Sequence, residues 1–307
     1  MQKNQLFKGI FFALAAAAAN ATIGIFSKVV MTAGFSAANV ALAKTVLGFL
    51  ILSLILPVLK KEAAPSKMYQ AALCAFLGIF VLFHFETAAY KSFSAAGVVI
   101  MLMASASISS IVLGRLVLKD PITAQSLGGA ALAIAGIIVI FGGDLDISFG
   151  LSGALLAIAA GSGYGAFSVL MKKMNMAGGL GLTRKLLFFG SIYLCFPAGA
   201  TAFPLGAPSM AVVGAVLALA VVPTIVGFFC TTKALELLKP SQVQAIELSE
   251  PLFSAVLAFI FLQEQPSNSI FLGGILIILG ICVSNSIFSS IKNVFFVDTK
   301  NTESGKS

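Results

Sequence analysis

The chain has 307 residues, of which 59% are hydrophobic and only 10% are charged. Soluble globular domains carry about 25% charged residues, so this composition excludes an ordinary water-soluble fold. The formal net charge is +8, but the basic residues are spread over short segments between apolar stretches instead of forming one patch, and we therefore expect no nucleic-acid partner.

Ten apolar stretches follow one another along the chain. Each has about the length of 20 residues that a membrane-spanning helix needs. They cover approximately residues 6–27, 37–58, 69–90, 95–117, 124–143, 149–171, 185–203, 209–231, 241–262 and 269–291. The sequence therefore predicts an all-α polytopic membrane protein with ten transmembrane helices. The first stretch follows two lysines as a signal peptide would, but its apolar run is too long for one, and we retain it as the first span.

The four cysteines, Cys74, Cys195, Cys230 and Cys282, lie in four different apolar stretches. They have neither paired spacing nor the spacing of metal ligands, and we interpret them as small buried hydrophobic residues. The sequence predicts no metal, no cofactor and no disulfide framework.

Lysine and arginine predict the orientation. With the amino terminus in the cytoplasm, most of the 19 basic residues fall in cytoplasmic segments, whereas Asp144, Asp146 and Glu264 fall outside. Cytoplasmic loops of membrane proteins carry such an excess of positive charge. We therefore expect a multi-pass protein of the cell (inner) membrane with both termini in the cytoplasm.

The two halves of the chain resemble each other. Lys44 corresponds to Lys185 at an offset of 141 residues, and Gly129 corresponds to Gly273 at an offset of 144. Each match is weak by itself because glycine and alanine are common in membrane helices, but the matches keep their order along both halves. They predict a duplication.

The predicted boundary lies in the polar segment "GGDLDISFG" (142–150). It divides the chain into a first five-helix repeat, residues 1–145, and a second, residues 146–307, which includes a short cytoplasmic tail. Because five is an odd number, the second repeat must enter the membrane in the opposite orientation. Inverted repeats are typical of secondary transporters, whose substrate site lies near the bilayer midplane between the halves.

The segment "SEPLFSAVLAFIFLQEQPSNSIFLGG" (249–274), the "FSK" end of the first span and the two five-span halves resemble the EamA family of the drug/metabolite transporter superfamily. In that family each half ends in a proline-containing helix, a glutamate at its far end and a glycine-rich final helix. Pro251, Glu264 and Gly273 match this pattern in the second half.

The first half departs from the family pattern, with Ser107 in place of the proline and Asp120 in place of the glutamate. The family's basic residue in the second helix of each half is matched by Lys44, and by Arg184 or Lys185. The resemblance implies a transporter of small molecules such as amino acids, amines and other metabolites, acting as an exporter. It leaves the substrate open.

Glu247 and Glu250 interrupt the apolar run "QAIELSEPLFSAVLAF" (244–259). If the ninth span begins near Pro240, the rise of a helix places these carboxylates roughly 10 and 15 Å deep, on one face. Pro251 removes a backbone hydrogen bond and predicts a helix bend beside them. A coupled pair of acids suits a proton carrier or a site for a substrate ammonium group. The alternative is a hydrogen-bonded pair that only holds the bundle together.

Three further side chains are predicted for the same site or its entrance. Lys44 lies roughly 10 Å into the second span, where it anchors a substrate carboxylate, pairs with a glutamate, or extends to the membrane surface. Within "LFHFETAAYK" (82–91), Glu86 is a candidate for the outer gate or the cavity wall. His84 is a weaker candidate because it points about 200° away from Glu86 on a helix. Tyr90 is interpreted as an interface anchor.

Small-residue segments supply two secondary candidates. Ser105 lies in "MLMASASISS" (101–110) and Tyr164 in "GSGYGAFS" (161–168). Such segments bring helices close together and offer hydroxyl groups for hydrogen bonds, and packing is the alternative to a role in binding.

The favoured function is a secondary active transporter with proton coupling, whose partners are a small-molecule substrate and the lipid bilayer and which acts as a monomer or homodimer. No catalytic residues are assigned, because a single histidine and the absence of paired aspartates or metal-ligand spacing count against an intramembrane enzyme. A passive channel stays open as an alternative, and flux measurements in liposomes separate it from a transporter.

Overall fold

A computed structural model describes residues 2–58, 67–92, 95–141, 151–202, 208–262 and 268–284. Within these ranges the regular structure is helical and includes no β-strand. Most of the loop 59–68, the loop 142–149, Glu264 and the carboxyl-terminal tail lie outside the described residues, and with them part of the charged residues on which the predicted orientation depends.

The helices follow the predicted apolar stretches. The first half contains α1 (Gln2–Asn20), α2 (Ile23–Thr32), α3 (Ala37–Val58), α4 (Met68–Ala75), α5 (Leu82–Ala89), α6 (Ala95–Leu113) and α7 (Ala124–Phe141). The second half contains α8 (Leu151–Lys173), α9 (Leu180–Gly199), α10 (Met210–Leu219), α11 (Phe228–Leu237), α12 (Pro240–Glu247), α13 (Glu250–Leu262) and α14 (Asn268–Ser284). Short π-helical segments, Phe76–Val81 and Ala220–Gly227, join α4 to α5 and α10 to α11, and a third, Gly114–Leu118, ends α6.

Six helical segments within the described ranges are long and apolar enough to cross a membrane by length and composition. They are Asn4–Thr32, Ala37–Val58, Met68–Ala89, Val98–Leu118, Leu151–Lys173 and Met210–Leu237. Large apolar side chains project outward from these and other helices, with Leu54 75% exposed and Phe196 78% exposed. Helices that are apolar on all sides belong in lipid, and the predicted all-α membrane fold is confirmed at this level.

Small residues allow the helices to approach closely. α6 packs along α8, and a Cβ atom placed on Gly161 of α8 would lie 2.0 Å from the carbonyl oxygen of Leu102. α7 packs along α14, where a Cβ atom on Gly129 would lie 2.6 Å from the backbone nitrogen of Ser284. Without a hydrophobic force between helices in lipid, such close backbone contact is what stabilises a bundle.

Two predicted spans are interrupted in the middle. The first breaks at residues 21–22, between α1 and α2, and the ninth breaks at residues 248–249, between α12 and α13. The interruptions adjoin each other, since the hydroxyl of Ser254 on α13 donates to the carbonyl oxygen of Ala21 at 3.4 Å. Such contacts satisfy the polar groups that a broken helix leaves free.

The ninth span differs from the predicted bend at Pro251. α12 ends at Glu247, two residues lie outside helical structure, and α13 begins at Glu250. Pro251 is therefore the second residue of α13. Proline lacks an N–H group, so it is well tolerated in a first turn, where that group has no helical partner. The result is two short helices in place of one bent helix.

The π-helical segments occupy equivalent places in the two halves. Phe76–Val81 and Ala220–Gly227 begin 144 residues apart, the offset that relates the ends of the two halves in the sequence. Pro223 lies within the second of them. π-helical turns are rare and occur frequently at functional sites.

Candidate functional site

A small cavity with several ionisable side chains in its wall lies inside the bundle, where the irregular segments meet. Its polar lining residues are Asn20, Lys44, Glu86, Tyr164 and Glu250. The cavity volume is about 20 Å³, which is room for about one water molecule. Sites that hold a small organic ligand measure about 300–1,000 Å³, so the cavity is too small in this structure to hold one.

The helix interruptions position several of the lining side chains. Asn20 ends α1 and Ile23 begins α2, so both flank the first interruption, while Glu250 begins α13 directly after the second. Pro223 of the π-helical segment Ala220–Gly227 completes this side of the wall. Irregular backbone at membrane depth is tolerated where it is enclosed by protein or lines a cavity.

Lys44 projects from α3 into the cavity. Its side chain is only 1% exposed, and Nζ lies 3.7 Å from the centre of the Phe83 ring. An ammonium group at this position gains a cation–π contact, which compensates in part for the lost hydration. Lys44 also interacts electrostatically with Glu86, although the described residues give it no ion pair within 4.0 Å. The lysine therefore does not extend to the membrane surface.

Carboxylates from both halves converge on the same cavity. Glu86 comes from α5 and Glu250 from α13; both are buried, and their charges interact with each other. Two acids beside the single base Lys44 leave an excess of negative charge when all three groups are ionised. Such a site favours a cation, which is either a substrate ammonium group or a proton.

Glu247 lies outside the cavity wall, although the sequence places it on one face with Glu250. The interruption at residues 248–249 separates the two carboxylates onto different helices. Glu247 is fully buried, and its Oε1 accepts a hydrogen bond of 2.8 Å from the hydroxyl of Thr231 on α11. Within the described part of the chain, its Oε2 atom has no hydrogen-bond partner.

Tyr164 connects Glu247 with the cavity. This residue of α8 lines the cavity, and its hydroxyl lies 3.2 Å from the hydroxyl of Thr231. Tyr164, Thr231 and Glu247 thus form a buried chain of hydrogen bonds across three helices, in which Tyr164 also interacts directly with Glu247. Tyr164, a weaker candidate in the sequence, thus lies where the cavity and Glu247 meet.

Two of the secondary candidates lie elsewhere. His84 stacks on Phe80 at 5.6 Å between ring centres, on the side of α5 away from Glu86. Ser105 donates to the carbonyl oxygen of Leu102 and faces Gly161 in the contact between α6 and α8. Both side chains are used in packing, and neither lines the cavity.

Sequence reasoning missed Asn20, Phe83, Thr231 and Pro223. Asn20 is a polar residue in a long alanine run, and Pro223 is a proline inside an apolar stretch, so both carried a signal. Phe83 carried none, because the chain contains 27 phenylalanines and only the fold shows which one contacts Lys44. Thr231 is likewise one of many hydroxyl residues.

Comparison with known proteins agrees with this architecture. The EamA-like transporter family matches residues 7–142 and again residues 151–286. The uncharacterized transporter YdfC of Bacillus subtilis (strain 168) is 22% identical over 265 residues, covering 85% of this chain and 86% of the relative. The uncharacterized transporter YwfM of the same organism is 26% identical over 158 residues, covering 50% of this chain and 51% of the relative.

A crystal structure of another protein has the same fold. It superposes with a TM-score of 0.77 at 15% sequence identity, over 95% of this chain and 99% of the other. The two family matches cover most of the chain and begin 144 residues apart, as do the two π-helical segments. The protein therefore is a multi-pass membrane protein that belongs to the EamA-like transporter family, with one copy of the family's repeat in each half.

Proposed function

We propose that this protein is a secondary active transporter that exports small metabolites, namely amino acids or related amines, and couples their movement to protons. The observation that carries the proposal is the cavity itself. It places Lys44 and two carboxylates, Glu86 and Glu250, at one buried position between the two repeats. Intramembrane ionisable residues are costly and usually mark a substrate or ion pathway.

The architecture in this proposal is ten transmembrane helices arranged as two inverted five-helix repeats. The packing supports a pseudo-two-fold relation between the two halves. α5 of the first half packs on α8, the first helix of the second half, and α11 of the second half packs on α1, the first helix of the first half. An odd number of spans in each repeat then requires opposite orientations. We place the protein in the cell membrane with both termini in the cytoplasm, as a monomer or homodimer that needs no cofactor.

An amino acid fits the charges of the cavity at both ends. Its carboxylate binds beside Lys44, and its ammonium group binds between Glu86 and Glu250. The apolar wall, which includes Phe83 and Phe228, accommodates the side chain. A simple amine uses only the acidic side, and the excess of carboxylates favours it on charge alone.

Transport requires the cavity to widen, since its present volume of about 20 Å³ holds no metabolite. The interruptions at residues 21–22 and 248–249 and the two mid-span π-helical segments surround the cavity. Chain segments without regular helical hydrogen bonds are the places where helix halves tilt at low cost. We assign the contracted cavity to a closed step between the inward-open and outward-open states.

The test is a transport screen in proteoliposomes with L-amino acids and their decarboxylated amines, with and without an imposed pH gradient. Saturable counterflow is expected for at least one compound, together with accumulation driven by the gradient. Glu250→Gln should weaken binding of amines and amino acids alike, whereas Lys28→Gln, at an exposed position, should not. Flux that never saturates and lacks counterflow would identify a channel, and chemical conversion of a compound would identify an enzyme.

A further inference from the structure

We propose that Glu247 is the proton-binding site and that Tyr164 and Thr231 link it to the substrate cavity, so that proton binding changes what the cavity offers to a substrate. This inference rests on the proposed transport function. It gives different tasks to two carboxylates that the sequence treats as a pair, since Glu250 lines the cavity and Glu247 lies behind its wall.

The geometry restricts how the three groups bond. Thr231 Oγ1 lies 2.8 Å from Oε1 of Glu247 and 3.2 Å from the hydroxyl oxygen of Tyr164. All three side chains are at most 3% exposed. Each hydroxyl carries one hydrogen and donates a single hydrogen bond. The chain therefore points in one of two directions, and the protonation state of the carboxylate decides which.

When Glu247 is ionised, its carboxylate only accepts. Thr231 then donates to Glu247, and Tyr164 donates either to Thr231 or to Glu247 itself. In both cases the oxygen of the phenol is left as an acceptor for the cavity. When a proton binds to Oε1 of Glu247, the carboxyl group donates to Thr231, Thr231 donates to Tyr164, and the phenol donates towards the cavity. The carboxyl group gains one proton from water, and the two hydroxyl groups only rotate.

This reversal couples the proton to the substrate. A phenol that accepts suits a substrate ammonium group, whereas a phenol that donates into the cavity opposes it. Substrate binding therefore favours ionised Glu247, and proton binding favours substrate release. In alternating access this mutual exclusion produces exchange of one proton for one substrate, so that an inward proton gradient drives export.

The groups around Glu247 are compatible with binding of a proton to its carboxylate. α12 packs against α1, α6, α7, α8, α11 and α14. The titratable groups that interact with Glu247 are Tyr164 of α8, Cys230 of α11 and Glu250 of α13, and no described cation pairs with it. Its Oε2 atom lacks a partner among the described residues. A buried carboxylate that is neither neutralised by a cation nor fully hydrogen-bonded is suited to take up a proton.

The repeat provides a matched control. Thr87 stands 144 residues before Thr231, the offset that relates the π-helical segments and the two family matches. The hydroxyl of Thr87 is also buried, but it donates to the carbonyl oxygen of Phe83 within its own helix. Met103 occupies the position equivalent to Glu247. Thr87→Val thus removes a buried hydroxyl of the same kind without touching the proposed chain.

The experiment uses the full-length protein reconstituted in lipid vesicles, with variants Thr231→Val, Tyr164→Phe, Glu247→Gln and Thr87→Val. The first measurement is the infrared difference spectrum on a pH change, which needs no substrate. Wild type should show the C=O stretch of a carboxylic acid that Glu247→Gln lacks. Thr231→Val should shift that band because one hydrogen bond to it is lost, and Thr87→Val should leave it unchanged.

The second measurement compares accumulation driven by a pH gradient with counterflow, using L-leucine and isoamylamine as probes. Thr231→Val should lower accumulation by about 10-fold, as expected for a lost hydrogen bond to a charged group, while counterflow changes by less than about 3-fold. Tyr164→Phe should lower both accumulation and counterflow, because the lost hydroxyl also faces the substrate in the cavity. Thr87→Val should match wild type in both.

Each outcome is decisive. In Thr231→Val, an unshifted carboxyl band, or a loss of counterflow equal to the loss of accumulation, would show that the chain has only a structural role. Failure of the proposed function looks different, because wild type itself would then exchange neither probe nor any compound of the screen. The infrared result still decides whether Thr231 bonds a titrating Glu247.

Discussion

Replacing Lys44 with glutamine is expected to weaken binding of amino acids selectively. The side chain is 1% exposed and its Nζ atom lies 3.7 Å from the centre of the Phe83 ring, so water screens its charge poorly. Glutamine keeps a hydrogen-bond donor at this place but removes the charge. An amino acid loses its charged carboxylate contact, whereas a simple amine has no carboxylate to lose.

The magnitude follows from the type of contact. A hydrogen bond to a charged group contributes about 1.5–3 kcal/mol and a neutral one about 0.5–1.5 kcal/mol, so the substitution costs about 1–1.5 kcal/mol. A change of about 1.4 kcal/mol corresponds to a tenfold change in affinity. We therefore expect the half-saturating concentration of L-leucine to rise about 10-fold and that of isoamylamine to change less than about 3-fold.

The assay is counterflow in proteoliposomes at several concentrations of each compound, with Lys28→Gln as the control at an exposed position. Lys44→Arg should retain most of the affinity for L-leucine, since it preserves the positive charge. Equal losses of affinity for L-leucine and isoamylamine in Lys44→Gln would remove Lys44 from the carboxylate site. Normal affinity for both in Lys44→Gln would show that the substrate does not use this charge.

Two further predictions concern the fold. In Glu62→Cys the new cysteine should react with a membrane-impermeant reagent only from the cytoplasmic side, and in Leu145→Cys only from the outer side. If both cysteines react from the same side, the ten-span inverted arrangement is wrong. Gly129→Ala should destabilise the protein by about 1–3 kcal/mol, because its Cβ atom would lie 2.6 Å from Ser284, whereas Gly128→Ala, with nothing within 4 Å, should not. Size-exclusion chromatography after heating measures how much folded protein of each variant remains. Equal stability of Gly129→Ala and Gly128→Ala would show that α7 and α14 shift to make room for the added Cβ atom.

The sequence by itself showed that this protein lies in a lipid bilayer and that its two halves are repeats. Apolar stretches of membrane-spanning length predict an all-α membrane protein, because a helix satisfies its own backbone hydrogen bonds in lipid. The correspondence of Gly129 with Gly273 set the offset that also relates the two π-helical segments. Lys44, Glu86 and Glu250 were found as candidates because charged groups at membrane depth are costly and therefore rarely placed without a use.

The tertiary structure alone decided how these residues are grouped. Helical periodicity puts Glu247 and Glu250 on one face, but that inference holds only for a continuous helix, and the chain breaks at residues 248–249. The break directs Glu250 into the cavity and leaves Glu247 with Thr231 on another helix. Tyr164 of α8 connects the two, because it lines the cavity together with Glu250 and contacts Thr231, residues far from it in the chain. Periodicity describes one helix at a time, whereas the site is built where several helices lose their regularity and meet.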